Sequence, residues 1–374
     1  MPSNESPLLS PEGNLENAPS PGGDAQPGYD AFLLVGFGGP EQPEEVIPFL
    51  ESVLGGRKLP PDRLEELVKR YELFGGQSPI NAQNRALLTA LIELLHSEGP
   101  PLAVYWGNRH APPFLQEAVQ QMAEDGCRRA LAFVTSAFGS YPGCRQYREA
   151  IEQARAAVGP AAPEIHKLRL FFNHPGFIEA VADRAQSAFA QIDPAERAKT
   201  ALIFTAHSLP VPMAQTSPYQ EQLHEACRLV AEQLHWSEWQ LVYQSRSGPP
   251  EQAWLQPELP DYLWQLRQQQ PTLRHLLFVP IGFLSDHMEV IYDLDVEVAG
   301  ACEELGFAYH RAGTVGVHPR FVRMIRELIL ERLDPHRPRR ALGGLGPSPD
   351  ECPPHCCPPP AGSNTAAGYA CYAW

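Results

Sequence analysis

Positive charge, long apolar runs and the marks of a secretory leader are all scarce in this chain. Lys and Arg number 29 against 44 Asp and Glu, a net charge of −15, which disfavours nucleic acid or an anionic membrane as principal partner. A metal ion or a cationic surface suits it better. No stretch approaches the roughly 20 apolar residues needed to span a bilayer. The N-terminal Met1-Pro-Ser-Asn-Glu-Ser-Pro7 is polar and acidic, without the basic and apolar regions of a signal peptide. A cytoplasmic protein without stable membrane insertion is expected. There, eight cysteines do not build a disulfide framework. Residues 1–28 almost lack aromatics and are rich in Pro, Ser, Gly, Asn and Glu, which predicts a disordered tail.

What is present suits a globular protein: 43% hydrophobic and 20% charged over 374 residues, enough for two domains. Ala31-Phe-Leu-Leu-Val-Gly-Phe37, closed by Gly38-Gly-Pro40, reads as a first buried strand and its turn. Amphipathic segments follow near 43–54, 62–72 and 83–97, with strands at 102–106, 129–135 and 168–172. After Pro175 the rhythm restarts, with helices near 176–191, 218–235 and 258–269 alternating with strands at 200–206, 239–244 and 274–281, and a last strand near 307–310. This alternation predicts an α/β fold of two Rossmann-like, doubly wound halves, each with a four-stranded parallel sheet, and a ligand cleft between them. The expected domains are 29–174 and 175–318, then a helix at 319–334 packing back and a cysteine-containing extension at 335–374.

Two stretches carry the chemistry. Ala201-Leu-Ile-Phe-Thr-Ala-His207 is a strand that ends in an imidazole before Ser208-Leu-Pro210. A histidine ending an apolar strand is often structural, but small neighbours and the proline expose this ring in a turn, where it can exchange protons near neutral pH. In Val279–Glu297 an apolar strand turns into a helix on which Glu289, Asp293 and Glu297 recur every fourth residue, stacking three carboxylates on one face. No Lys or Arg occurs from 279 to 310, whereas a solvated structural face usually mixes signs. A line of hard oxygen ligands facing one histidine suits a divalent metal in transit.

Several motifs in order make the chain resemble the ferrochelatases, which insert ferrous iron into a porphyrin: Gly38-Gly-Pro40, Phe74-Gly-Gly-Gln-Ser-Pro-Ile80, Tyr105-Trp-Gly-Asn108, Phe204-Thr-Ala-His-Ser-Leu-Pro210, Tyr243-Gln-Ser-Arg-Ser-Gly-Pro249, Trp254-Leu-Gln-Pro257 and Phe283-Leu-Ser-Asp-His-Met-Glu-Val-Ile-Tyr-Asp293. The resemblance covers about residues 30–333. It implies a lyase of haem biosynthesis with Fe2+ as substrate. His207 and Glu289 would act on metal and pyrrole protons, with Asp293 and Glu297 as an acidic relay. Arg57, Tyr71, Ser78 and Ser136 would touch the macrocycle or its propionates. The short, charged interval between Gly55 and Phe74 is similar to that of coproporphyrin ferrochelatases rather than of membrane-associated protoporphyrin IX enzymes, so coproporphyrin III is the expected substrate and coproheme the product. Glu41 stands where some of these enzymes carry an iron-ligating tyrosine. The rivals are a protoporphyrin IX ferrochelatase, a chelatase for another metal or tetrapyrrole, and a haem-binding or iron-sensing protein without turnover. A monomer or weak dimer is expected.

Cys352, Cys356 and Cys357, with a distant Cys144, resemble the ligands of those ferrochelatases that hold a [2Fe–2S] cluster. A zinc site using His355 or a redox-reactive tail are the alternatives, and Cys371 could replace one thiol. Cys127, Cys227 and Cys302 fall in helical patterns and read as packing residues.

Overall fold

The computed structural model describes residues 28–56, 58–247 and 251–359. Among these residues eight strands form two parallel sheets. The first contains β1 (Ala31–Gly36), β2 (Ala103–Asn108), β3 (Arg129–Val134) and β4 (Glu164–Lys167) in the order β2-β1-β3-β4. The second contains β5 (Thr200–His207), β6 (Trp239–Gln244), β7 (His275–Val279) and β8 (Ala308–Arg311) in the order β6-β5-β7-β8. The two halves therefore repeat one topology. In this order the chain reverses direction beside the first strand, between β1 and β3 and again between β5 and β7, and the carboxyl ends of those strands flank a ligand crevice.

Alternation along each strand divides the packing into layers. Phe32, Leu34, Leu131 and Phe133 of the first sheet share one continuous core with Leu202, Phe204, Leu241 and Leu277 of the second. The final helix, Pro319–Leu333, enters that core through Phe321, Ile325 and Leu328. The opposite faces have their own cores: Leu33 and Ala132 pack on Leu115 and Val119, and Ile203 and Phe278 on Leu263 and Cys302. Helices cover both faces of each sheet, so the central strands read as unbroken apolar runs.

The expected strand at 168–172 is displaced. The ladder with β3 ends at Ala132 opposite Lys167, and the chain then leaves the sheet to enter the shared core. Phe171 and Phe172 are buried there without strand partners. Arg169, 3% exposed, is held by a two-pronged pair with Glu331 of the final helix, at 2.7 and 3.0 Å. This apolar run is core without being strand. Residues beyond that helix fold back on the body, where Leu342 N–H donates to Asn173 O at 2.9 Å and Asn173 Nδ2 donates to Gly346 O at 2.8 Å. Among the described residues no helix is long and apolar enough to cross a membrane.

Candidate active site

Both strand-order reversals open on one cleft, lined from both halves of the chain. Phe37 and Gly38 reach it from the end of β1, Thr135 and Ser136 from β3, His207 from β5, and Phe283 and Glu289 from the segment after β7. Gly38 has φ +87, and a Cβ there would lie 2.8 Å from Asn108 Cβ, so a side chain is excluded by backbone and space alike.

His207 and Glu289, 82 positions apart in sequence, meet in this cleft with Nε2 and Oε1 at 3.5 Å. That separation is an ion pair but too long for a good hydrogen bond, and both atoms are buried without a hydrogen-bond partner. The His207 Nδ1–H donates to Ser208 O, which fixes the tautomer and turns Nε2 into the cleft. Burial works against the imidazolium, but the Glu289 carboxylate outweighs it and raises the His207 pKa above its ordinary value. Burial likewise opposes the Glu289 charge, and His207 outweighs it, holding that carboxyl below its usual range. The pairing thus favours the charged form of each group. His287 caps the turn that carries Glu289, accepting from its N–H at 3.3 Å, and Gln244 Nε2 donates to Glu289 O.

The acidic segment is less regular than its fourfold spacing predicts. A short α-turn, Met288–Ile291, passes into a π-turn, Asp293–Val298, before helix Ala299–Leu305. Glu289 and Asp293 are buried, whereas the Glu297 side chain is 49% exposed. Cations missing from the segment itself come from elsewhere. Arg70 lies 3.7 Å from Glu297 and stacks on Tyr292 at 4.5 Å. Asp286 and Asp295 belong to Arg311, at 3.0 and 2.6 Å, and so are structural. Asp293 accepts from Ser245 Oγ. Burial lifts its carboxyl to about 7, with Glu289 and Glu297 adding to the rise and Ser245 and Arg70 opposing it.

Tyr71, Ser78 and Ser136 all line the same cleft; Arg57 lies outside the described residues. Glu41 does not line it and pairs with Arg85. Arg109, directly after the Tyr105-Trp-Gly-Asn108 motif, lines the wall 4.8 Å from the Tyr147 ring. His110 was not foreseen. Its Nδ1 shares a 3.2 Å hydrogen bond with Ser52, its Nε2 has no partner, and burial with Arg109 nearby lowers its pKa to about 3. The adjacent pair Arg109-His110 directly after edge strand β2 was the available signal.

Away from the cleft, Cys144 and Cys352 are hydrogen-bonded, as are Cys356 and Cys357, and charge on Cys144 and Cys356 is felt at both of the others. The Cys352 contact lowers the Cys144 pKa to about 5. The sulfurs meet as two thiol pairs; among the described residues no three His, Cys, Asp or Glu side chains stand as a ready metal site. Cys227 and Cys302 are core residues, and Cys127 is half-buried. Cys371 lies outside the described residues.

Known proteins resemble this chain in fold and in sequence. SirB from Bacillus subtilis, solved with Fe3+, superposes with a TM-score of 0.51 over 81% of this chain and 96% of its own at 12% identity, a likeness of fold alone. A ferrochelatase of Rhodopirellula baltica is 50% identical over 344 residues, 90% of this chain and 97% of its own. A coproporphyrin III ferrochelatase of Frankia alni is 48% identical over 355 residues, 91% and 89% of the two chains. A family model described as Ferrochelatase matches residues 29–333, the span that supplies both sheets, the cleft and the His207–Glu289 pair, and the chain belongs to the ferrochelatase family.

Proposed function

We propose that this protein is a lyase that inserts Fe2+ into coproporphyrin III, releasing two pyrrole protons and forming coproheme. The observation that carries the reading is the buried His207–Glu289 pair, whose facing Nε2 and Oε1 atoms lack other partners. A buried polar atom left unpaired is costly; a free-base porphyrin satisfies both, a pyrrole N–H donating to the Glu289 carboxylate and an unprotonated ring nitrogen accepting from His207 Nε2–H. The pairing favours the charged form of each group, which makes the Glu289 carboxylate the ready acceptor for the first pyrrole proton. Once His207 gives up its own proton, Nε2 has a lone pair for the metal. Asp293, poised at about 7, and the solvent-reaching Glu297 form the route for protons and for Fe2+. Tyr71, Ser78, Ser136 and Arg57 hold the macrocycle and its carboxylates.

Relatives named for coproporphyrin III and the short charged interval 55–74 support that substrate over protoporphyrin IX. Turnover on the two porphyrins, followed by absorbance, tests it; faster insertion into protoporphyrin IX overturns the choice. His207→Ala and Glu289→Gln should each lower iron insertion by about 10²–10⁴-fold with the fold retained by circular dichroism. Either variant retaining the wild-type rate would sink the mechanism.

The donor set fits a [2Fe–2S] cluster: Cys144, Cys352, Cys356 and Cys357 supply the four thiolates such a cluster requires. When bound, it supplies one-electron redox chemistry. Reddish-brown protein with charge-transfer bands lost in Cys356→Ser is expected; a colourless, folded protein prepared without oxygen refutes it.

A further inference from the structure

The cysteine pairs adjoin a second cavity. Its lining is notably cationic for a chain of net charge −15: Arg148, Arg155 and Lys167 share it with Cys144, Cys352 and Cys356. Two of its cations touch the cysteine site itself. Lys167, the last residue of β4, donates from Nζ to Cys144 Sγ at 2.7 Å. Arg145, next to Cys144 in sequence, donates from Nη1 to the carbonyls of Pro354 and Cys356 at 2.8 and 3.1 Å. Its Nε is anchored on Glu149 at 2.9 Å. Arg148 adds a weaker contact with Pro354 O at 3.4 Å. The internal loop therefore grips the C-terminal extension through arginine, while lysine addresses the one sulfur that the extension does not supply.

We propose that Lys167 tunes and Arg145 positions this site: the Lys167 ammonium raises the reduction potential of a cluster held there, and Arg145 keeps the tail cysteines against Cys144. The inference rests on the cluster reading above. Four thiolates around an oxidised [2Fe–2S] core make a net dianion, and one-electron reduction makes a trianion. A cation donating to a ligand sulfur stabilises the more negative state, so potential rises with its charge and hydrogen bond. Arg145 acts through backbone carbonyls, so its loss loosens the tail ligands without removing a donor atom.

Protein purified under nitrogen is assayed for iron and acid-labile sulfide, then titrated with dithionite while the visible bands are followed. Lys167→Met, which keeps the length of the side chain, should hold the same iron and sulfide with a midpoint more negative by about 59 mV, a tenfold change for one electron. Lys167→Arg should return the midpoint towards wild type. An unchanged midpoint in Lys167→Met, or loss of its iron and sulfide, overturns the tuning role. Arg145→Gln should lose iron to a chelator about tenfold faster than wild type, with thermal unfolding of the body unchanged. Equal rates overturn the positioning role. Wild-type protein without acid-labile sulfide removes the cluster reading and this inference with it, and leaves the iron-insertion chemistry of His207 and Glu289 standing.

Discussion

Asp293 gives the sharpest test of the electrostatics. Its carboxyl titrates at about 7 in the fold against 3.8 ordinarily. The folded state thus holds its proton where the unfolded chain has lost it, and stability falls as pH rises between those values. At 1.36 kcal/mol for each decade of acidity, the full cost of keeping this carboxylate ionised in the fold is about 4 kcal/mol. Asparagine in its place still accepts from Ser245 and carries no charge. Asp293→Asn should therefore be more stable than wild type, with the difference growing by about 3 kcal/mol between about pH 5 and about pH 8. The comparison cancels groups common to both proteins, although Glu289, Glu297 and Arg70 all face Asp293 electrostatically. Urea unfolding of both proteins across that range reads the difference directly. Parallel stability curves, or a difference that shrinks as pH rises, would refute the assignment of a buried, destabilising carboxylate. The same variant should insert iron more slowly, because the position that costs stability is the one given to the proton route.

Ser245→Ala removes the hydrogen bond that opposes the Asp293 shift, so the fall in stability should move to higher pH; an unmoved profile would detach Ser245 from this titration. Glu331→Gln leaves the Arg169 guanidinium buried without its charge partner and should cost about 3–5 kcal/mol, measured by chemical denaturation; a loss under about 1 kcal/mol would mean the pair behaves like a surface one. Gly38→Ala combines positive φ with a 2.8 Å approach to Asn108 and should cost about 1–3 kcal/mol, with weaker porphyrin binding by fluorescence titration. Full wild-type stability and affinity would show that the turn can relax.

The layered α/β fold was legible because each buried strand is an apolar run bounded by turn residues and each helix carries 3.6-residue periodicity. Helix Pro319–Leu333 and strands β5 and β6 fall where those patterns put them. The run after Lys167 misled because a segment filling the shared core has the same composition as a central strand, and only its pairing distinguishes them. His207 at the end of β5 and Glu289 on the turn after β7 stood out by residue type and spacing; the expectation that they face each other leaned on the family resemblance, since no local pattern encodes contact across 82 positions. The π-turn was hidden for a related reason. Fourfold acidic spacing is compatible with α-helix, and the partners of the acidic segment lie elsewhere: Gln244 at the end of β6, Ser245 after it, and Arg70 from helix Pro61–Glu72. In the sequence they fall at a strand end, just past it and on an amphipathic segment, yet all three contact the acidic line.

The hydrophobic interior common to both sheets bears on how a stiff, flat guest gets in. Phe133, Phe204 and Phe321 knit the halves across their backs, so hinge closure of the kind seen in clamshell receptors would tear apart apolar contacts. The cleft mouth is an aperture of set width, and access falls to its lip: the four-residue turn Met288–Ile291 and the loops after β1 and β3. Unfolding should correspondingly be a single event, with a porphyrin bound in the slot protecting residues of both sheets together against amide exchange.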